Sequence, residues 1–255
     1  MLRISLLGLA LAGWTFSAPA QFADSVIEYS PGAGFIPGFT NTDAALGEPT
    51  RVVPGEFGGP VDPFAPPYLP SELLSVGTGG SLTLKFSRPV LNHPGNRFGI
   101  DFIIFGNAGF IITNAFDPVT FDWIGTPATD GALLGANAGQ TQVSVSRDGS
   151  LFYVLDPALA PVVDGLLPTD GSGDFHVPAD PTLVQADFAG LTLAGIRALY
   201  LGSAGGAGYD ISWARDDQGH PVRLSQINYV RIDVISGKSE IDGVAAVFVP
   251  PGFSR

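Results

Sequence analysis

Oxygen-bearing side chains alternate with glycines in DGSGDFH, residues 170–176, and this spacing could bind a metal ion. Asp170, Ser172 and Asp174 recur at every second position, as oxygen ligands do in calcium-binding loops. An EF-hand loop would place a glutamate at its twelfth position, where this chain has Pro181, so the loop is not an EF-hand. The pattern predicts either a calcium site with Asp170 and Asp174 as ligands or a polar turn without a ligand.

Aromatic rings in connections rich in glycine and proline form the second set of candidates. They are Phe64, Tyr68, Trp123, Tyr209 and Trp213. Such rings can stack on the faces of sugars, while a nearby carboxylate such as Asp210 accepts hydrogen bonds from sugar hydroxyls. We predict ligand binding by Trp123, Tyr209, Trp213 and Asp210. The alternative is that the rings close the open ends of a β-sandwich.

Motifs for hydrolysis are missing from the sequence. The three histidines, His93, His176 and His220, have none of the spacings typical of metal ligands, there is no G-x-S-x-G elbow, and the chain has no cysteine nucleophile. A catalytic triad or a carboxylate pair can still be assembled from distant loops. The sequence therefore favours a protein without catalytic activity, and a hydrolase with a loop-built site is the alternative.

Two aspartates lie where the sequence predicts burial. Asp101 sits in an apolar strand, and Asp210 follows GGAGY. A buried carboxylate has to be paired, hydrogen-bonded or bound to metal. Arg231, in YVRID, is the predicted partner from a neighbouring strand, in a structural ion pair.

Short strands joined by turns are the elements that must position these groups. Only 14% of the 255 residues are charged, while 34 are glycine and 22 proline, a composition that disfavours long helices. In the hairpin predicted at 141–157, the Asp148-Gly149 pair predicts a two-residue type I′ turn that places Val145 opposite Phe152 and turns Tyr153 away from the apolar face. Further strands are predicted at SLTLKF (81–86), RFGIDFIIFGN (97–107), INYVRIDVI (227–235) and EIDGVAAVFV (240–249).

Two long connections, 49–80 and 156–208, are predicted to be loops, with one helical turn at 181–189. No repeat of fixed period occurs, which excludes propellers and solenoids. Long irregular connections in a compact domain are often functional, so we expect the site there or at the strand ends. We predict an all-β fold, an antiparallel β-sandwich with long loops, in one domain spanning 21–255.

The first twenty residues predict export. MLRISLLGLALAGWTFSAPA combines an early Arg3, an apolar run and a small-residue cleavage signal ending at Ala20. Cleavage before Gln21 would release a secreted, periplasmic or surface protein without a membrane span; an uncleaved anchor is the alternative. Removing this segment changes the formal net charge from −12 to −13. This field would repel nucleic acid but not neutral glycans, cations or basic surfaces.

Several motifs together resemble a family of uncharacterised secreted bacterial proteins, many of which carry a C-terminal PEP-CTERM sorting tail. The motifs are TNTDAALGEPT (40–50), DFIIFGN (101–107), VSVSRDGSLFY (143–153), GSAGGAGYDISWA (202–214) and INYVRIDV followed by EIDGVAAV (227–247). More distantly, the pattern resembles jelly-roll sandwiches of the galactose-binding or discoidin type. The resemblance implies that fold and, loosely, a sugar-binding function.

The resemblance also implies a structural calcium ion where the first loop meets the last strand. The matching positions are Asp43, main-chain carbonyls of residues 40–48, and Glu240 or Asp242. A cation bound by oxygen ligands would stabilise an exported domain without cysteine.

The chain departs from the family at two places. Gly106 precedes Asn107, where family members commonly carry an acid, and the chain ends in VPPGFSR without a sorting tail. Surface anchoring by such a tail is therefore not expected.

From the sequence, then, we expect a secreted, non-catalytic β-sandwich protein that binds an extracellular polysaccharide or a surface protein, or that serves as a structural module.

Overall fold

The computed structural model of the chain describes residues 21–134 and 139–247. The predicted signal peptide and the last eight residues lie outside this part. In chain order the strands are β1 (Ser25–Ser30), β2 (Val52–Val53), β3 (Gly59–Pro60), β4 (Leu74–Gly77), β5 (Ser81–Leu91), β6 (Phe102–Gly106), β7 (Phe116–Asp117), β8 (Asp122–Trp123), β9 (Ala128–Thr129), β10 (Gln140–Ser146), β11 (Tyr153–Leu155), β12 (Leu191–Thr192), β13 (Ala207–Tyr209), β14 (Ala214–Arg215), β15 (Gln226–Ser236) and β16 (Lys238–Ala246). One α-helix, α1 (Leu193–Tyr200), occurs in the described ranges, and 3-10 helices span Thr42–Ala45, Arg97–Gly99, Gln185–Phe188 and Ile211–Trp213.

Two antiparallel sheets make up the sandwich. The larger has the strand order β1-β5-β15-β10-β11-β14, and the smaller has the order β13-β6-β16-β4. The chain passes from the larger sheet to the smaller at Gly237, whose φ of 71° favours glycine, so β15 and β16 follow each other in sequence but belong to different sheets. The predicted all-β, antiparallel β-sandwich with long loops is confirmed.

Side chains from both sheets form the main core. Leu82, Leu84 and Phe86 alternate along β5 and are fully buried, as the pattern of SLTLKF predicts. They belong to one apolar cluster with Phe102 and Ile104 of β6 in the other sheet. The strand predicted at 97–107 is confirmed in part, because β6 is buried on both faces between β13 and β16, whereas Arg97–Gly99 form a 3-10 helix.

The register predicted for the hairpin is wrong by one residue. Val145 lies opposite Tyr153, and Ser144 lies opposite Val154. The Asp148 side chain explains the difference, because its Oδ1 accepts hydrogen bonds from the main-chain N–H groups of Ser150 (2.8 Å) and Leu151 (3.1 Å) and holds a wider loop than a two-residue turn. Tyr153 therefore packs against the core instead of facing away from it.

The two segments predicted as loops contain regular structure. Residues 49–80 include the buried strand β4, and residues 156–208 include α1. The predicted helical turn at 181–189 occurs as the 3-10 helix Gln185–Phe188. Ile196 and Tyr200, four residues apart on α1, are buried in a separate cluster with Phe110 and Phe188, and this packing stabilises a helix that its glycine-rich surroundings do not predict.

After β6 the chain forms a two-stranded segment, residues 109–134, called the ribbon below, in which β9 also pairs with β12. Its base is next to Ala108, and its tip is the β7-β8 hairpin. Main-chain hydrogen bonds join its two sides, from Leu134 N to Gly109 O (2.7 Å), from Ile111 N to Ala132 O (2.8 Å), from Thr113 N to Ala128 O (2.9 Å) and from Ile124 N to Ala115 O (2.8 Å).

Candidate functional site

A cavity of about 320 Å³ opens where β6 ends beside β16. Its apolar wall comes from the loop before β4 and from the base of the ribbon, and its polar wall comes from the strand ends and the loop around Asp164. The cavity is lined by Pro66, Pro67, Tyr68, Asn107, Ala108, Leu133, Leu134, Asp164, Lys238, Ser239 and Glu240. Its volume is at the lower end of the range for small-molecule sites.

Strand pairing brings the polar residues of this wall together. Gly106, the last residue of β6, lies opposite Ile241 of β16, so the following Asn107 is beside Glu240. The Asn107 Nδ2 group donates a hydrogen bond to Glu240 Oε2. Lys238 is two residues from Glu240 on the same strand and therefore on the same face, with its Nζ 3.5 Å from Glu240 Oε1.

Glu240 is the least exposed of the charged groups in the wall, with 6% of its surface accessible. Oε1 makes the ion pair with Lys238 but has no hydrogen-bond partner within residues 21–134 and 139–247, and the same holds for Ser239 Oγ. Buried polar atoms are nearly always hydrogen-bonded, so these two atoms are notable. A ligand hydroxyl would supply the missing donor to Glu240.

Asp164 adds a second carboxylate to the cavity. Its main chain has a φ of 63°, and its Oδ1 accepts a hydrogen bond of 2.6 Å from Ala108 N. Burial, together with the nearby charge of Glu240, raises the pKa of Asp164 to about 7. At a pH near this pKa about half of the molecules carry a neutral Asp164, which donates as well as accepts hydrogen bonds, and the residue keeps partial exposure to the cavity.

Gly106 leaves room for the Asp164 carboxyl group, because glycine has no side chain. A Cβ atom at Gly106 would lie 2.6 Å from Asp164 Oδ1 and 2.5 Å from the carbonyl oxygen of Glu240. Where the resembled family commonly has an acid, this chain thus has a glycine, and a carboxyl group from a distant loop occupies the space beside it.

The predicted ligand-binding residues are not on the wall of this cavity. Tyr209 is fully buried, with its ring stacked on Phe102 at 5.2 Å and its hydroxyl donating to Pro161 O. Asp210 Oδ1 accepts from Ser212 N (2.6 Å) and caps a 3-10 helix.

The remaining aromatic candidates are spread over three places. Trp213 is half-buried and lines a second, mainly apolar cavity of about 160 Å³. Trp123 belongs to the tip of the ribbon. Phe64 packs against the cluster around α1, and Tyr68 alone of the five lines the larger cavity.

The predicted calcium ligands are also dispersed. Asp170 accepts from Arg197 Nε (2.7 Å) and Nη2 (3.0 Å), and although burial raises its pKa, the bonds from Arg197 and Ser172 hold that pKa below its usual value. Asp174 is exposed and accepts from His176 N. Across the described residues, no three His, Asp or Glu side chains gather into a group that could hold a metal ion.

The positions taken from the family resemblance lie in different environments. Asp43 is exposed on the 3-10 helix Thr42–Ala45, and Glu240 lines the cavity. Asp242 is buried and accepts hydrogen bonds of 2.8 Å from both the N–H and the hydroxyl of Thr50. Calcium binding at these residues stays a prediction.

The predicted ion pair of Arg231 with Asp101 or Asp210 is wrong. Arg231 pairs with Asp233 (3.0 Å) and with Glu28 (3.6 Å) on the larger sheet. Asp101, directly before β6 of the smaller sheet, is satisfied by neutral donors, which are Asn96 Nδ2 (2.8 Å), Ile211 N (2.9 Å) and His93 N (3.0 Å).

Sequence reasoning selected Glu240 but missed Asp164 and Lys238. The Asp164-Gly165 pair was a usable signal, because a loop aspartate before glycine is common where the chain turns through a positive φ. Lys238, beside the turn at Gly237, gives no signal by itself.

No family model matches the chain, and no curated protein matches it. In the ranges that the structure covers, neither α1 nor any 3-10 helix has the length and apolar character needed to cross a membrane.

Proposed function

We propose that this is a secreted, non-catalytic protein that binds an extracellular glycan, with one sugar residue entering the cavity between β6 and β16. The observation that carries the proposal is Glu240, buried in the cavity wall with an oxygen that lacks a hydrogen-bond donor among the described residues. A sugar hydroxyl could donate to that oxygen and accept from the Lys238 ammonium group 3.5 Å away.

The rest of the wall supports a hydroxylated, uncharged ligand. Asn107 and neutral Asp164 each donate and accept hydrogen bonds, as hydroxyl groups do. Tyr68, Pro66 and Leu133 supply the apolar surface on which the C–H faces of a sugar ring pack. Glycan sites combine these two kinds of surface, whereas an apolar ligand would leave Glu240 Oε1 and Ser239 Oγ without a hydrogen-bond partner among the described residues.

Charge and the predicted export signal support the same partner. A net charge of −12 over the whole chain disfavours polyanions, and a polysaccharide outside the cell would be available to a protein exported by the 1–20 segment. The resemblance to secreted bacterial proteins and to galactose-binding sandwiches supports this location and ligand class. A surface protein is the other partner that an exported structural module would have.

Affinity electrophoresis in gels containing cellulose derivatives, xylan, mannan or galactan tests the proposal. We expect the purified protein to be retarded by at least one of them and Glu240→Gln to weaken that binding about tenfold, because the change removes one charged hydrogen-bond acceptor. Glu28→Gln, at an exposed glutamate on β1, is the matched control. The proposal fails if no polymer retards the protein or if Glu240→Gln binds as the wild type does.

Hydrolysis of the glycan is the second candidate, because two carboxyl groups share the cavity and burial raises the pKa of one of them. Glycosidases use such a pair, with the acid of raised pKa as the proton donor. Release of reducing ends from the bound polymer, abolished in Asp164→Asn, would establish it. Binding without release would leave the protein a binder.

A further inference from the structure

The tip of the ribbon, residues 116–124, exposes an apolar surface. Val119 is 90% exposed and Phe121 is 81% exposed, and Ile124 is also exposed. The Phe116 ring meets Phe121 (5.3 Å between centroids) and Trp123 (5.2 Å) edge to face, so the rings support one another and not the core. Contiguous apolar groups on a surface are typical of an interaction site.

The backbone of the tip holds these rings outward. Phe121 has a φ of 58°, a left-handed conformation that is unfavourable for a residue with a side chain. The flanking carboxylates fix the turn, with Asp117 Oδ1 accepting from Val119 N (2.8 Å) and Asp122 Oδ1 accepting from Trp123 N (2.7 Å). The ring of Phe121 is thus presented to solvent by a constrained turn.

Charge narrows the choice of partner for this surface. The sequence has no lysine or arginine between Arg97 and Arg147, and the tip carries Asp117 and Asp122. The hydrogen bond from Val119 N lowers the pKa of Asp117, so the tip is negatively charged at neutral pH. Anionic lipids, nucleic acid and acidic polymers are repelled, whereas a neutral glycan offers ring faces for stacking and hydroxyl donors for carboxylates.

The ribbon connects this surface to the cavity. Its base residues Leu133 and Leu134 line the cavity wall together with Ala108, and its tip begins at Phe116. Phe116 follows Ala108 by eight positions, so the two residues are at most about 28 Å apart when the chain is fully extended. One polysaccharide chain is long enough to reach both places.

We infer that the tip is a second contact for the same glycan, on which sugar rings stack against Phe121 and Trp123 while another residue of the chain occupies the cavity. This rests on the proposed function and specifies its ligand class as an extended, neutral polysaccharide. Two linked contacts bind a polymer more tightly than either contact binds its own short fragment.

Binding to the polymer and to its disaccharide unit tests the inference. The polymer is the one whose gel retards the wild type. The variants are Trp123→Ala and Phe121→Asn; asparagine is chosen because it tolerates the positive φ at this position. We expect each variant to bind the polymer at least tenfold more weakly while its affinity for the disaccharide, measured by calorimetry, is unchanged. Ile235→Ala, at an exposed apolar residue of β15, is the control.

The outcomes are distinguishable. Tip variants that bind the polymer like the wild type, while Glu240→Gln does not, overturn the second contact and leave the proposed function standing. A wild type that binds no polymer overturns both. The inference is also overturned if either tip variant abolishes cosedimentation with phosphatidylcholine vesicles or converts a dimer to a monomer in size-exclusion chromatography. Melting temperatures that match the wild type verify the fold of each variant.

Discussion

Replacing Asp242 with asparagine is expected to remove part of the pH dependence of stability. Asp242 is 2% exposed, and its carboxyl group bonds Thr50, which is 192 residues away in sequence. Burial, with a further contribution from the charge of Glu72, raises its pKa from 3.8 to about 7, in spite of the two bonds from Thr50 that lower it. The folded protein therefore holds this proton more tightly than the unfolded chain does.

The sign and size of the stability change with pH follow from the difference in the Asp242 pKa between the folded and unfolded states. Between about pH 4 and pH 7 the folded state keeps the proton that the unfolded state releases, so raising the pH favours unfolding. The stability from protonated Asp242 is present below about pH 4 and is lost as the pH rises to about 7. At about 1.4 kcal/mol for each pH unit, tapering near the pKa, the loss from pH 5 to pH 8 is about 2.5 kcal/mol.

Urea unfolding at pH 5 and pH 8 measures this loss. The amide introduced by Asp242→Asn can accept from Thr50 N through its oxygen and donate to the Thr50 hydroxyl through its nitrogen, so the buried contacts are retained. Between pH 5 and pH 8, we expect the free energy of unfolding of the variant to fall by about 2.5 kcal/mol less than that of the wild type. Equal losses would refute the reasoning. So would a melting temperature at pH 8 that rises with calcium in the wild type and not in Asp242→Asn, because an ionised, metal-bound Asp242 would then stabilise the fold.

Two further substitutions test the packing behind the cavity and the loop 156–208. Gly106→Ala places a Cβ atom 2.6 Å from Asp164 Oδ1, so we expect a loss of about 1 to 3 kcal/mol in urea unfolding, whereas Gly59→Ala, with no atom within 4 Å of its added Cβ, is expected to be neutral. Arg197→Ala leaves the Asp170 carboxylate buried without its guanidinium, and we expect a loss of about 2 to 3 kcal/mol, reduced because Arg197 is itself partly exposed to solvent. Adding Asp170→Asn to that variant is expected to recover part of the loss; a double variant no more stable than Arg197→Ala would contradict the burial argument.

Hydrophobic periodicity predicted strands in which apolar and polar residues alternate. It failed for elements and registers that depend on tertiary contacts. The alternation of Leu82, Leu84 and Phe86 requires one buried face, and β5 has it, although Ser81 and Thr83 on its other face are buried as well. Helix α1 could not be predicted in the same way, because Gly195 and the surrounding glycines weaken its propensity and only packing with Phe188 and its neighbours stabilises it. The hairpin register was missed because a side chain, Asp148, widens the turn.

The candidate site was less predictable than the fold, because its residues come from five separate segments. Glu240 was selected as an acid near the end of the chain, whereas its partner Asn107 is 133 residues away and could be placed beside it only through the pairing of β6 with β16. The exposed surface at the ribbon tip was also only partly predictable from the sequence. Trp123 was selected for its ring, but the exposure of Phe121 depends on a positive φ that nothing in TFDWIG predicts.

Buried carboxyl groups take the place of covalent cross-links in this cysteine-free chain. Asp101, Asp164 and Asp242 each accept hydrogen bonds from main-chain groups of distant segments, at Ile211, Ala108 and Thr50. Burial raises the pKa of all three carboxyl groups. Each group accepts its hydrogen bond in the neutral form, and ionising it inside the folded protein at higher pH costs free energy. Asp164 bonds to Ala108 and so joins the loop around residue 164 to the end of β6, where the cavity opens. An ionised Asp164 can no longer donate a hydrogen bond to a ligand hydroxyl, so binding in the cavity is expected to weaken when the pH rises above about 7.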